Sequence, residues 1–150
     1  MQRSTFTLSR RFKAAVYISF GLLLLTGAGW MRAQSHLGDD AWERVPRFLL
    51  TIHGGAAMGA LLVLGALTKH VQRGWSARRN RVSGALLLGL NAFLIVTGYG
   101  LYYCAAEDLR AWLSQWHAWI GLGTGILLPA HIVVGRLIRR RLPGRQSGVK

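Results

Sequence analysis

Five histidines occur in the 150 residues of this chain, and four belong to two long apolar stretches: His53 and His70 bracket one, His117 and His131 the other. A neutral imidazole has one nitrogen that donates and one that can ligate a metal. Ionisable groups within a lipid-spanning helix are costly to place there and generally serve a site. Two helices that each carry a histidine near both ends can hold an iron porphyrin. Six-coordinate haem iron takes two axial imidazoles from opposite sides, and a bundle core provides them from facing helices.

Depth and rotational phase sort the four into pairs. His53 stands six residues after Arg47 and His117 seven after Arg110, so the two rings are expected at nearly the same depth. His131 follows His117 by fourteen residues, about 21 Å along a helix, and points within about 40° of the same direction. His70 follows His53 by seventeen residues, about 25 Å on, and is turned by about 100°. A distortion after Gly65, or a frayed last turn, would be needed to bring it round. His53 and His117 therefore form the expected outer ligand pair, with His70 and His131 as the inner pair if a second iron is held. The remaining histidine, His36, lies in a loop and is read as an ordinary polar residue.

The elements that must carry these rings are visible in the charge pattern. The chain is 51% hydrophobic, and cutting it at its charges leaves four uncharged runs, at 14–31, 48–68, 82–106 and 111–135. Each can cross a bilayer, which takes about 20 apolar residues. The expected architecture is all-α: a single integral membrane domain over 1–150, a four-helix bundle with helices about 14–31, 48–69, 82–106 and 111–138. A basic tail at 139–150 follows, made irregular by Pro143 and Gly144. Pro129 is expected to bend the last helix. The first run is read as a retained helix rather than a signal peptide, because Trp30, Met31 and Arg32 stand where small residues would precede cleavage.

The net charge of +14 would suit a nucleic-acid partner, but its distribution points to a membrane. With the N-terminus in the cytoplasm, fifteen of the nineteen Lys and Arg residues fall on the inner side. Only Arg32, Arg44, Arg47 and Arg110 fall outside. That asymmetry is the positive-inside pattern. It places both termini in the cytoplasm and the basic segments against anionic lipid headgroups. The five acidic residues, Asp39, Asp40, Glu43, Glu107 and Asp108, all fall outside. Five of the six tryptophans also cluster near the outer face with Tyr102 and Tyr103, as in an interfacial aromatic belt. Cys104, the single cysteine, is read as a small packing residue.

Two further patterns bear on the site. Each candidate ligand is followed four residues later, on the same helical face, by a small residue: Ala57, Gly74, Gly121 and Gly135. Gly121 and Gly135 beside His117 and His131 are therefore expected to leave room for a macrocycle. The halves also look alike. Thr26-Gly27-Ala28-Gly29 ends the first helix and Thr97-Gly98-Tyr99-Gly100 the third, each followed across an outer loop by a helix with a histidine near its start. Two such halves would be related by an axis along the membrane normal. A zinc site is a poor rival, since no cysteine or carboxylate lies near to complete four-coordination.

In these residues the chain resembles the small four-helix membrane b-type cytochromes, the cytochrome b561-like and DUF4405-type proteins. Trp116-His117-Ala118-Trp119-Ile120-Gly121 through His131-Ile132-Val133-Val134-Gly135 looks like their last-helix pattern. His53-Gly54-Gly55-Ala56-Ala57 through His70 looks like the preceding ligand helix, and Thr97-Gly98-Tyr99-Gly100 is similar to their threonine-glycine helix. The resemblance covers 48–135 and departs from the family in the seventeen-residue spacing. It implies haem b (one or two), the bacterial inner membrane, and electron transfer exchanged with a quinone or another redox partner. Two axial imidazoles leave iron no open position, which favours an electron carrier over a stand-alone enzyme. The rival from another class is a non-redox scaffold or assembly subunit whose histidines only bridge helices.

Overall fold

In a computed structural model, described over residues 9–36, 42–76 and 81–140, five helices follow one another: α1 (Arg10–Gln34), α2 (Val45–Ala66), α3 (Thr68–Ser76), α4 (Arg81–Tyr103) and α5 (Glu107–Arg140). Helix accounts for 92% of the described residues, and no strand occurs among them. Four helices are long and apolar enough to cross a membrane: α1, α2, α4 and α5 over 107–138. The all-α, multi-pass membrane architecture expected from hydropathy is therefore present. Asp39, Asp40, Arg78, Arg79 and the Pro143-Gly144 tail lie outside the described residues.

α1 and α5 outrun their apolar windows at both ends because hydrogen bonding continues where the hydrocarbon requirement stops, whereas α2 and α4 end short of theirs. Ser9 caps α1, its hydroxyl accepting from the Phe12 amide at 3.2 Å; such a cap satisfies an otherwise orphaned N–H. Pro46 sits in the first turn of α2, where its missing N–H costs nothing. Glu107 and Asp108 open α5, where negative charge meets the positive end of the helix dipole. Pro129 lies inside α5, which continues past it to Arg140.

The second helix differs from its expected bounds. It ends at Ala66 rather than 69, and Leu67 forms a turn before α3 begins. The Leu67 amide bonds back to the Val63 and Leu64 carbonyls, and the Thr68 hydroxyl donates to the Gly65 carbonyl at 2.7 Å. A side chain that bonds the backbone locally competes with helix continuation. His70 thus belongs to α3, a short polar helix, and not to the last turn of a membrane span.

The chain divides into two compact units, residues 1–69 and 70–150. In the first, α1 packs on α2; in the second, α4 packs on α5. Few residues are buried. Val16, Thr26 and Ala33 of α1, Ala60 of α2, Leu87 and Thr97 of α4 and Thr124 of α5 are the buried set among the described residues. Most are small or hydroxyl-bearing, the residue types that let membrane helices approach closely. The large apolar side chains face outward: Leu25, Leu62, Val96 and Ile126 are all exposed, as lipid-facing residues should be.

Candidate histidine sites

In the first unit, Thr26 is buried near the end of α1 and His53 is half-buried on α2. The Thr26 hydroxyl lies 2.9 Å from His53 Nδ1. The next residue, Gly27, allows this approach: a β-carbon there would stand 3.5 Å from His53 Cε1. Two residues further along, a β-carbon on Gly29 would stand 3.3 Å from Leu49, four residues before His53.

The second unit repeats the arrangement residue for residue. Thr97, buried on α4, holds His117 Nδ1 at 2.8 Å. A β-carbon on Gly98 would meet His117 Cε1 at 3.4 Å, and one on Gly100 would meet Leu113, again four residues before the histidine, at 2.9 Å. In both units the Thr-Gly-x-Gly segment of one helix therefore seats a Leu-x-x-x-His segment of the next.

The second unit carries a further copy of the histidine seat. Ser83 lies 2.8 Å from His131 Nδ1, and a β-carbon on Gly84 would stand 3.6 Å from His131 Cε1. Ser83 and Thr97 are fourteen residues apart on α4, as His117 and His131 are on α5. Antiparallel helices of equal rise keep two such rungs in step. Ser83 and Gly84 escape notice in the sequence read span by span. Their signal is the shared interval, two Ser/Thr-Gly dipeptides spaced like the two histidines that follow.

The other predicted residues are placed as follows. His70 is exposed on α3. A β-carbon on Gly121 would point at Leu94 at 3.9 Å, so this position borders the α4–α5 packing. Gly135 is half-buried on α5, one turn beyond His131. Trp112, Trp116 and Trp119 are exposed, and the Trp112 and Trp116 rings lie 6.0 Å apart. His36 stacks on Trp42 with centroids 4.9 Å apart. Cys104 is a free, half-buried cysteine.

Among the described residues, no three His, Cys, Asp or Glu side chains group to hold a bare metal ion. A porphyrin brings four nitrogens of its own, and the protein then owes the iron only axial donors. The donor chemistry fits that demand. Three imidazoles are anchored through Nδ1, which orients each ring around its remaining nitrogen, Nε2, as metal-bound histidines are oriented by outer-shell partners. Comparisons with family models, with curated proteins and with solved structures give no match to this chain.

Proposed function

We propose that this chain is a small four-helix membrane b-type cytochrome, an electron carrier of the bacterial inner membrane that exchanges electrons with a quinone or another redox partner. The observation that carries this reading is the repeated seat: three half-buried histidines, each held at Nδ1 by a hydroxyl and flanked by a glycine. His53 and His117 would hold an outer haem, a pairing supported by their nearly equal sequence distances, six and seven residues, from Arg47 and Arg110. His131 would ligate an inner haem with His70. The charge asymmetry supports a bundle with both termini in the cytoplasm. Haem b, once bound, supplies a reversible one-electron couple within the membrane.

The chain's own residues do the rest. Thr26, Thr97 and Ser83 fix ring orientation; Gly27, Gly98 and Gly84 let the rings settle against the neighbouring helix. Exposed apolar side chains on all four long helices hold the seats in lipid and away from bulk water.

One observation also suits the scaffold reading: hydroxyl–imidazole bonds between membrane helices are a common packing device, worth about 0.6 kcal/mol each on average. A pyridine haemochrome assay on the purified full chain, with haem counted per polypeptide, separates the two. The cytochrome reading expects at least one haem b per chain. A well-folded chain purified from haem-replete cells with none would leave the scaffold.

A further inference from the structure

Thr26 and Thr97 have one hydroxyl proton each, and backbone carbonyls of their own helices lie within hydrogen-bond distance of each hydroxyl. Thr26 Oγ1 donates to the Leu22 carbonyl at 2.6 Å, with the Leu23 carbonyl at 3.3 Å. Thr97 Oγ1 donates to the Phe93 carbonyl at 2.8 Å, with the Leu94 carbonyl at 3.2 Å. A carbonyl can only accept, so a hydroxyl that makes this backbone bond spends its one proton on it. The oxygen can then offer the imidazole only a lone pair. His53 Nδ1 at 2.9 Å and His117 Nδ1 at 2.8 Å must therefore be the donors. Both threonines are buried, Thr97 to 2% exposure, so bulk water is kept from replacing either bond.

We propose that Thr26 and Thr97 are positioning residues that lock His53 and His117 in the Nδ1–H tautomer before any cofactor arrives. Nε2 is then the lone-pair nitrogen in both units. The backbone bond does more than hold the hydroxyl. Donation to the carbonyl polarises the oxygen and makes it a better acceptor, and threonine's branched Cβ confines the rotamer. An Nδ1–H that donates a hydrogen bond to such an acceptor leaves the imidazole a better electron donor at Nε2. Resting on the cytochrome reading, the pair would then favour the oxidised iron and lower the reduction potential of the outer haem.

The lock is testable without haem. The full chain, haem-free and labelled with 15N at histidine, is placed in lipid nanodiscs, and ring-nitrogen shifts report each tautomer. His53 and His117 should both be Nδ1–H. Thr97→Val should release His117 alone into a tautomer mixture, Thr26→Val should release His53 alone, and Thr97→Ser should keep the wild-type tautomer. On the haem-loaded protein, each valine variant should move the outer haem's midpoint to more positive values, with the serine variant near wild type. His117 found as Nε2–H in the wild type, or unmoved in Thr97→Val, would overturn the lock and leave the haem reading standing. A chain that takes up no haem but shows the locked tautomers would remove the haem reading and retain the lock. Should Thr97→Val fail to fold, Thr97→Ser and Thr26→Val decide the same question.

Discussion

The two units use one design but extend it differently. In both, Thr-Gly-x-Gly on the first helix receives Leu-x-x-x-His on the second, with hydroxyl–imidazole distances of 2.9 and 2.8 Å. In the second unit the design recurs fourteen residues further in, as Ser83-Gly84 against His131. Fourteen residues before Thr26 stands Phe12, and fourteen after His53 stands Leu67. Neither side chain can hydrogen-bond or ligate. Leu67 is also where α2 gives way to α3, and the nearest histidine, His70, is three residues beyond it. Helix register thus makes the Thr26–His53 and Thr97–His117 seats strict twins, whereas the Ser83–His131 seat of the second unit has no in-register twin in the first.

The largest effect that sharpens this contrast is loss of a whole spectral component. Where a second haem is held, His131→Ala should remove its signal and leave the His53–His117 signal at full amplitude in a low-temperature difference spectrum. Leu67→Ala should leave both. Loss of the outer signal in His131→Ala would mean that the two seats are not separate.

Next come the glycines beside the rings. A β-carbon at Gly98 or Gly27 would make ordinary contact with Cε1, so alanine should keep most of the haem. Valine adds γ-carbons that the ring must escape, and haem per chain should fall several-fold in Gly98→Val and Gly27→Val. Full occupancy in both valine variants would show that the seats do not depend on this approach.

Smaller effects should appear in stability. Thr97→Val leaves the imidazole donor without its buried acceptor and should cost about 1–2 kcal/mol, and Thr26→Val about the same, read by thermal unfolding of the full chain in detergent. The smallest difference concerns the leucine contacts. Gly100→Ala meets Leu113 at 2.9 Å, whereas Gly29→Ala meets Leu49 at 3.3 Å. Both leucines yield at their flexible ends, so overpacking should stay near the lower limit of its usual cost, about 1 kcal/mol, and be larger at Gly100. An equal shift at the two sites would mean that the packing there relaxes freely.

The membrane helices were legible from sequence because a bilayer sets length and polarity together. Their ends were less so: the Arg10–Lys13 turn of α1 and the Arg136–Arg140 turn of α5 are helical yet charged, and hydropathy stops short of them. The break at Leu67 was hidden because Leu67 and Thr68 are not helix breakers by type; the Thr68 hydroxyl on the Gly65 carbonyl is a local bond that composition does not announce. His53, His117 and His131 were readable as rings at chosen depths, and Thr26-Gly27 and Thr97-Gly98 as a repeat. What joins the two lists is helix pairing, and one span alone does not reveal which residue of its neighbour it meets. For the same reason Gly121 was assigned by its own helix face to a macrocycle, whereas its β-position looks toward Leu94 of α4. Gly121→Leu is therefore expected to disturb α4–α5 packing as well as haem content.

The central proposal is that one haem depends equally on His53 and His117. His53→Ala, His117→Ala and the double variant, compared by reduced-minus-oxidised spectra at equal protein content, test it most directly. Each single variant should abolish the same low-spin b-type component, and the double variant should do no further damage to it, because iron without either imidazole has lost the bis-histidine site. An intact component after His117→Ala, or two different components lost in the two single variants, would contradict the account.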